Sequence, residues 1–144
     1  MFLFDEISAP HVNELPSIAE LWWFLPFGYL FTILIETPIL LLGLPRPVTI
    51  MQRLWCGIWL TACTYPIVIL VLPVLLANES RGGYLFVAEV FAPAAECFLF
   101  WLAFRKTHLG VAGWAQAMIV IVIANLASFG MGEVMNYWSW FGLF

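Results

Sequence analysis

Residues 31–44 read FTILIETPILLLGL, an apolar run broken near its middle by Glu36-Thr37-Pro38. With the residues before it, the run extends over 21–43, about the 20 apolar residues that a membrane-crossing helix requires. Three more runs of this kind follow near 54–77, 84–104 and 111–132, separated by short polar breaks. Across all 144 residues 64% are hydrophobic and 10% charged, and the mean hydropathy is +0.99. Soluble domains are about half apolar and a quarter charged, so this is the composition of an integral membrane protein. The runs are continuous and about twice the roughly 10 residues of an alternating barrel strand. The expected fold is therefore an all-α membrane protein, a four-transmembrane-helix bundle with proline-kinked helices.

Around that bundle the chain divides into an N-terminal arm over 1–20, a transmembrane domain over 21–132 and an aromatic interfacial tail over 133–144. The start, MFLFDEISAP, has no basic region and meets acids within five residues, unlike a cleavable signal peptide. Ser17 and Glu20 have the spacing of a capping box ahead of the first span, and Trp22 and Trp23 suit a membrane interface. Pro26 fits an interfacial turn leading into that span. Gly43, Pro45 and Pro47 end the first helix, and 78–83 and 105–110 read as turns.

Orientation follows from the five basic residues. Arg46 and Arg53 lie between the first and second runs, Arg105 and Lys106 between the third and fourth, and Arg81 alone between the second and third. Basic loops are retained in the cytoplasm, which puts both termini outside. The net charge of −4 points to no partner, since Asp5, Glu6, Glu14, Glu20 and Glu79 lie outside the runs. No basic patch suggests nucleic acid. Cys56, Cys63 and Cys97 fall inside spans without ligand spacing, as small buried apolar residues do.

The informative residues are the polar ones inside the spans: Glu36, Thr61, Thr64, Glu89, Glu96, Asn125 and Ser128. A charged carboxylate at mid-bilayer costs around 2.5–3.5 kcal/mol on insertion scales. No basic residue lies within a span to offset this, so neutral or partly neutral glutamates are expected. Counting about 1.5 Å per residue from the cytoplasmic span ends, Glu36, Thr61, Thr64 and Glu96 form an inner layer. On the same ruler Glu89 with Asn125 and Ser128 forms an outer one. Ala124, Ser128 and Gly132 recur every four residues, the small-residue pattern that lets helices approach closely. Pro38, Pro66 and Pro93 each remove a helical amide and free the carbonyl four residues earlier. A protonated glutamic acid or a threonine hydroxyl on a neighbouring helix could answer such a carbonyl. Two short echoes, Glu36-Thr37-Pro38-Ile39 with Thr64-Tyr65-Pro66-Ile67 and Ala88-Glu89 with Ala124-Asn125, hint at a repeat.

His11 and His108 lie outside the spans, so no haem or chlorophyll ligand, Glu-x-x-His di-metal motif or base for a serine or cysteine nucleophile is in place. The paired glutamates and histidines of CAAX-type intramembrane proteases do not occur. No cofactor, metal or catalytic residue is expected.

The combination of Glu-Thr-Pro (36–38), Thr-x-Pro (64–66), Ala-Glu (88–89) with Glu96, and Ala-Asn-x-x-Ser-Phe-Gly (124–130) resembles a group of small four-helix bacterial membrane proteins. That resemblance implies a bacterial inner membrane and brings no activity, ligand or partner with it. Small multidrug-resistance transporters are similar in having four short helices and a glutamate on the first, an analogy of architecture only. With 17% aromatic residues, eight of them tryptophans, the chain suits lateral packing against lipids and other integral membrane subunits. The leading expectation is a non-catalytic accessory subunit or assembly factor of a larger membrane complex. The alternative is a proton- or cation-coupled carrier using Glu36 and Glu96, with Glu89 and Asn125 as an outer gate. An intramembrane enzyme working with two carboxylates is the least supported.

Overall fold

The computed structural model describes residues 18–137, and everything in this range is helix, turn or short loop, with no strand. The N-terminal arm through Ser17, and with it the expected capping box, lies outside the described residues, as does the tail from Trp138. Helix α1 is Ile18–Gly43, α2 begins as Ile50–Pro66, α3 is Arg81–Phe104 and α4 is Gly110–Tyr137. Beyond Pro66, α2 continues through a π turn (Ile67–Val71) and a last α-helical turn (Leu72–Leu75). Four of these segments, Leu25–Gly43, Ile50–Leu75, Arg81–Phe104 and Gly110–Met135, are long and apolar enough to cross a membrane.

The sequence-derived boundaries shift in two instructive places. Pro26 lies inside α1, so the chain makes no interfacial turn there. Helix α4 runs on to Tyr137, past the expected end at Gly132. Neither Gly130 nor Gly132 stops it, because the glycine residue alone does not terminate a helix without a following left-handed turn.

Neighbouring helices are joined by short connections, and each of α1 and α3 packs on both α2 and α4. The ends of the helices at the 43–50 and 104–110 loops, here the loop end, are closely fixed. Thr49 and Gln52 form a capping box at the start of α2. Arg53 donates from Nη1 to the carbonyl of Leu41 at 2.8 Å and from Nε to that of Val48 at 2.9 Å. Gln116 of α4 donates to the carbonyl of Gly43 at 2.8 Å. These side chains satisfy carbonyls that the end of α1 leaves without helical partners.

Most of the tightly packed core lies between the middle of the bundle and this loop end. Leu40, Leu44, Val48, Cys56, Leu60, Phe100, Phe104, Leu109, Ala117, Ile121 and Ala124 form one buried cluster. Stacked rings of Phe100 and Phe104, 4.5 Å apart, and Trp114 edge-on to Phe100 fill its centre. Toward the opposite end the buried apolar residues among those described are fewer: Gly28, Leu72, Ala88 and Pro93. Close helix contact depends on Gly57, where a Cβ would fall 2.9 Å from the Cα of Thr37, and on Gly43, packed against Val120. Among the described residues a Cβ at Gly132 would meet nothing within 4 Å. The small-residue seam expected over Ala124, Ser128 and Gly132 therefore closes at Ala124 and is open at Gly132.

Pro38, Pro66 and Pro93 all lie within helices. One proline has its loss answered clearly. In the π turn Leu72 bonds back five residues to Ile67, so the next amide in that register would serve Val68, but Pro73 has none. The Tyr84 hydroxyl of α3 takes its place, 3.0 Å from the Val68 carbonyl.

Candidate functional site

Midway along the bundle, Glu36 and Glu96 are both 2% exposed, one on α1 and the other on α3. The two remaining helices supply their partners. Thr61 on α2 places its hydroxyl 2.8 Å from Oε2 of Glu36, and Ser128 on α4 places its own 2.7 Å from Oε1. For Glu96, the Thr64 hydroxyl lies 2.8 Å from Oε1 and the Asn125 amide donates to Oε2 at 2.8 Å. Helical spacing makes this possible: Thr61 and Thr64 are three residues apart on α2, as Asn125 and Ser128 are on α4, so each pair shares a face.

The six side chains form one centre rather than the two layers expected from depth counting. Asn125 and Ser128 join Glu96 and Glu36, and Glu89 stands apart, half-buried, two turns along α3 from Glu96. The ruler failed at α4. Gln116 is level with the last residue of α1, so the six residues before it, about 9 Å of helix, project beyond that end. Counting depth from residue 111 therefore sets Asn125 too far along by most of that distance.

Exchange of the two hairpins, α1–α2 and α3–α4, leaves the bonding pattern unchanged. Each glutamate bonds the first member of the polar pair on its own hairpin, Thr61 or Asn125, and the second member on the other, Ser128 or Thr64. The buried positions follow the same rule: Leu40 and Phe100 lie four residues after the glutamates, and Leu44 and Phe104 eight. Leu60 and Ala124 each precede the first polar member. This matching differs from both sequence echoes, which aligned α1 with α2 and Glu89 with Asn125.

The hydrogens in this centre are fewer than the contacts they could serve. Thr61 also lies 2.9 Å from the carbonyl of Gly57, Thr64 lies 3.1 Å from that of Leu60, and Ser128 lies 2.9 Å from that of Asn125. Each hydroxyl has one hydrogen and two acceptors in reach. The Asn125 amide has two hydrogens and spends one on Glu96 and one on the Ile121 carbonyl at 3.0 Å. These hydroxyls therefore face carboxyls and their own helix, not the carbonyls freed by Pro38, Pro66 and Pro93. Beside Glu36 the hydroxyl of Thr37 is buried against Gly57 without a partner.

Chemically, the centre offers two carboxyls that hydroxyls can either donate to or accept from. Among the described residues no group of three or more histidine, cysteine, aspartate or glutamate side chains could hold a metal ion. Sequence reading singled out every side chain of the centre, because each is a polar residue in an apolar run. Gly57 shares a helix face with Thr61 and Thr64 by its spacing, but the contact between Gly57 and Thr37 has no signal in the sequence. Compared with protein families, curated proteins and solved structures, the chain has no match in any of the three.

Proposed function

We propose that this small polytopic membrane protein is a proton-coupled carrier in which Glu36 and Glu96 are the protonation pair. The observation that carries this reading is the hydrogen count. With both carboxyls ionised, the Thr61, Thr64 and Ser128 hydrogens turn to the carboxylate oxygens. The carbonyls they leave still accept their helical amides. When Glu96 takes up a proton it is held on Oε1, because the Asn125 amide facing Oε2 can only donate. The new O–H donates to Thr64, whose own hydrogen turns to the Leu60 carbonyl. Glu36, between two hydroxyls, can carry its proton on either oxygen. Every protonation state thus has a satisfied arrangement without displacement of a helix, which matters where an unmet polar group costs several kcal/mol.

The reading further takes both termini to lie outside, since four of the five basic residues lie at the loop end, and follows the resemblance in assigning a bacterial inner membrane, with the termini periplasmic. Proton flux into liposomes bearing the protein, driven by a potassium diffusion potential, tests it. Flux above protein-free liposomes is expected for the native chain and its loss in Glu36→Gln and Glu96→Gln. Unchanged flux in both variants removes the mechanism.

A second reading, a non-catalytic accessory subunit of a larger membrane complex, is favoured by the same four bonds seen as a clasp. All four carboxyl oxygens are spent on neighbouring helices, leaving the lipid-facing surface as the place for other subunits. Purification from native membranes in mild detergent separates the readings. A chain running alone at 16.3 kDa plus its detergent counts against the subunit role.

A further inference from the structure

The two halves of the bundle are packed differently, and the difference lies on the interior face. On α3, Glu89 is seven residues before Glu96 and so within about 20° of it around the helix, on the same face as buried Pro93, Glu96 and Phe100. Unlike those three it is only half-buried. On α4, Gly132 lies one turn beyond Ser128 on the stripe that carries Ile121, Asn125 and Ser128, and a Cβ there would enter open space. Interior-facing positions at the loop end, Ala117 and Ile121 among them, have no exposure at all.

Three seams around this loose half are held. Tyr29 of α1 donates to the Ile58 carbonyl of α2 and lies beside the Tyr65 ring, while Tyr84 of α3 donates to Val68. Arg81 of α3 and Glu133 of α4 pair at 2.9 Å at the far end. With α1–α2, α2–α3 and α3–α4 joined, Gly132 and Glu89 lie between the end of the bundle and the Glu36–Glu96 centre. At the centre itself the unpartnered Thr37 hydroxyl leaves further hydrogen-bonding capacity.

We propose that this half of the bundle is a water-accessible vestibule through which protons reach Glu36 and Glu96 from the end that carries Arg81 and Glu133, with Glu89 as the acceptor at its mouth. The proposal rests on the proton reading of the centre and adds a direction and an entry residue. Glu89 lies about 12 Å from Arg81 along α3 and about 10 Å from Glu96, between the end of the bundle and the centre. The carboxyls near this route are Glu89, Glu96 and Glu36. The other titratable groups on the packed elements are Glu20 and Tyr29 on α1, Arg53, Cys56, Cys63 and Tyr65 on α2, Arg81, Tyr84 and Cys97 on α3, and Glu133 and Tyr137 on α4. Tyr29 and Tyr84 donate to backbone carbonyls, Cys97 turns its thiol to the Met118 carbonyl, and Arg81 is engaged by Glu133.

Single cysteines in a Cys56→Ala/Cys63→Ala/Cys97→Ala background test the route. A membrane-impermeant cationic thiol reagent is applied to proteoliposomes from each side in turn. The expected result is labelling of Gly132→Cys from the Arg81 side only, at least tenfold faster than lipid-facing Ile123→Cys, with Glu89→Gln slowing it several-fold. Labelling no faster than Ile123→Cys, or equal from both sides, overturns the vestibule. A parallel pH step applied from the Arg81 side, read by infrared bands of the carboxyls, keeps the two ideas apart. Labelling with no carboxyl response refutes proton entry through an existing cavity, whereas a response without labelling refutes the cavity and leaves the proton reading intact.

Discussion

At Glu96, glutamine can reproduce the protonated carboxyl. Its oxygen would accept from Asn125, and its amide would donate to Thr64, whose hydrogen then serves Leu60. Glu96→Gln is therefore expected to fold with a loss of less than about 1 kcal/mol, while Glu96→Leu, which strands the Asn125 amide, should lose about 1–3 kcal/mol. Thermal unfolding in detergent measures both, and equal losses would mean that the bonds to Glu96 do not distinguish a donor from an acceptor. The candidate residues were legible because a carboxylate, hydroxyl or amide is conspicuous in an apolar run. Which of them meet was not, since a pairing depends on where each helix begins relative to its neighbours, and the overhang of α4 beyond Gly43 has no mark in the sequence.

Among the elements, two glycines make opposite predictions. Gly57→Ala forces a methyl group into the backbone of α1 at Thr37 and should destabilise by about 1–3 kcal/mol, the usual range for overpacking. Gly132→Ala has open space to enter and gains helix propensity of up to about 1 kcal/mol, so it should be neutral or stabilising. Chemical denaturation of the two variants in the same detergent compares them, and a larger loss at Gly132 would contradict the packing. Tyr84→Phe, which removes the donor that stands in for the amide missing at Pro73, should cost about 1 kcal/mol. The four helices themselves were plain from run length and hydropathy. Less plain were the packing glycines, because the four-residue spacing of Ala124, Ser128 and Gly132 is also what any stripe of a helix supplies, whereas the close approach at Gly57 depends on a partner 20 residues away. Pro26 misled for a related reason: inside a long helix a proline removes one amide, here the one that would serve the Trp22 carbonyl, without ending the helix.

On the scale of the whole molecule, the two hairpins contribute equivalent halves of one centre, in the manner of repeats related by an axis along the membrane normal. The equivalence is in bonding and burial, with Thr-Thr answered by Asn-Ser and Leu by Phe, and residue identity conceals it. Within the centre two bonds cross between hairpins, Glu36 with Ser128 and Glu96 with Thr64. Co-expressed fragments split after Asn78 should consequently purify together, and the double variant Thr64→Val/Ser128→Ala should weaken their association while Thr61→Val, which breaks a bond inside one hairpin, leaves it intact. Affinity capture through a tag on one fragment reads this directly, and the reverse order would contradict the crossed pattern. Reversible protonation of Glu36 and Glu96 is the central claim, and infrared difference spectroscopy of the reconstituted protein across a pH step tests it most directly. The account predicts carboxylic-acid bands that appear on acidification, one lost in Glu36→Gln and another in Glu96→Gln; a difference spectrum unchanged by both substitutions would contradict it.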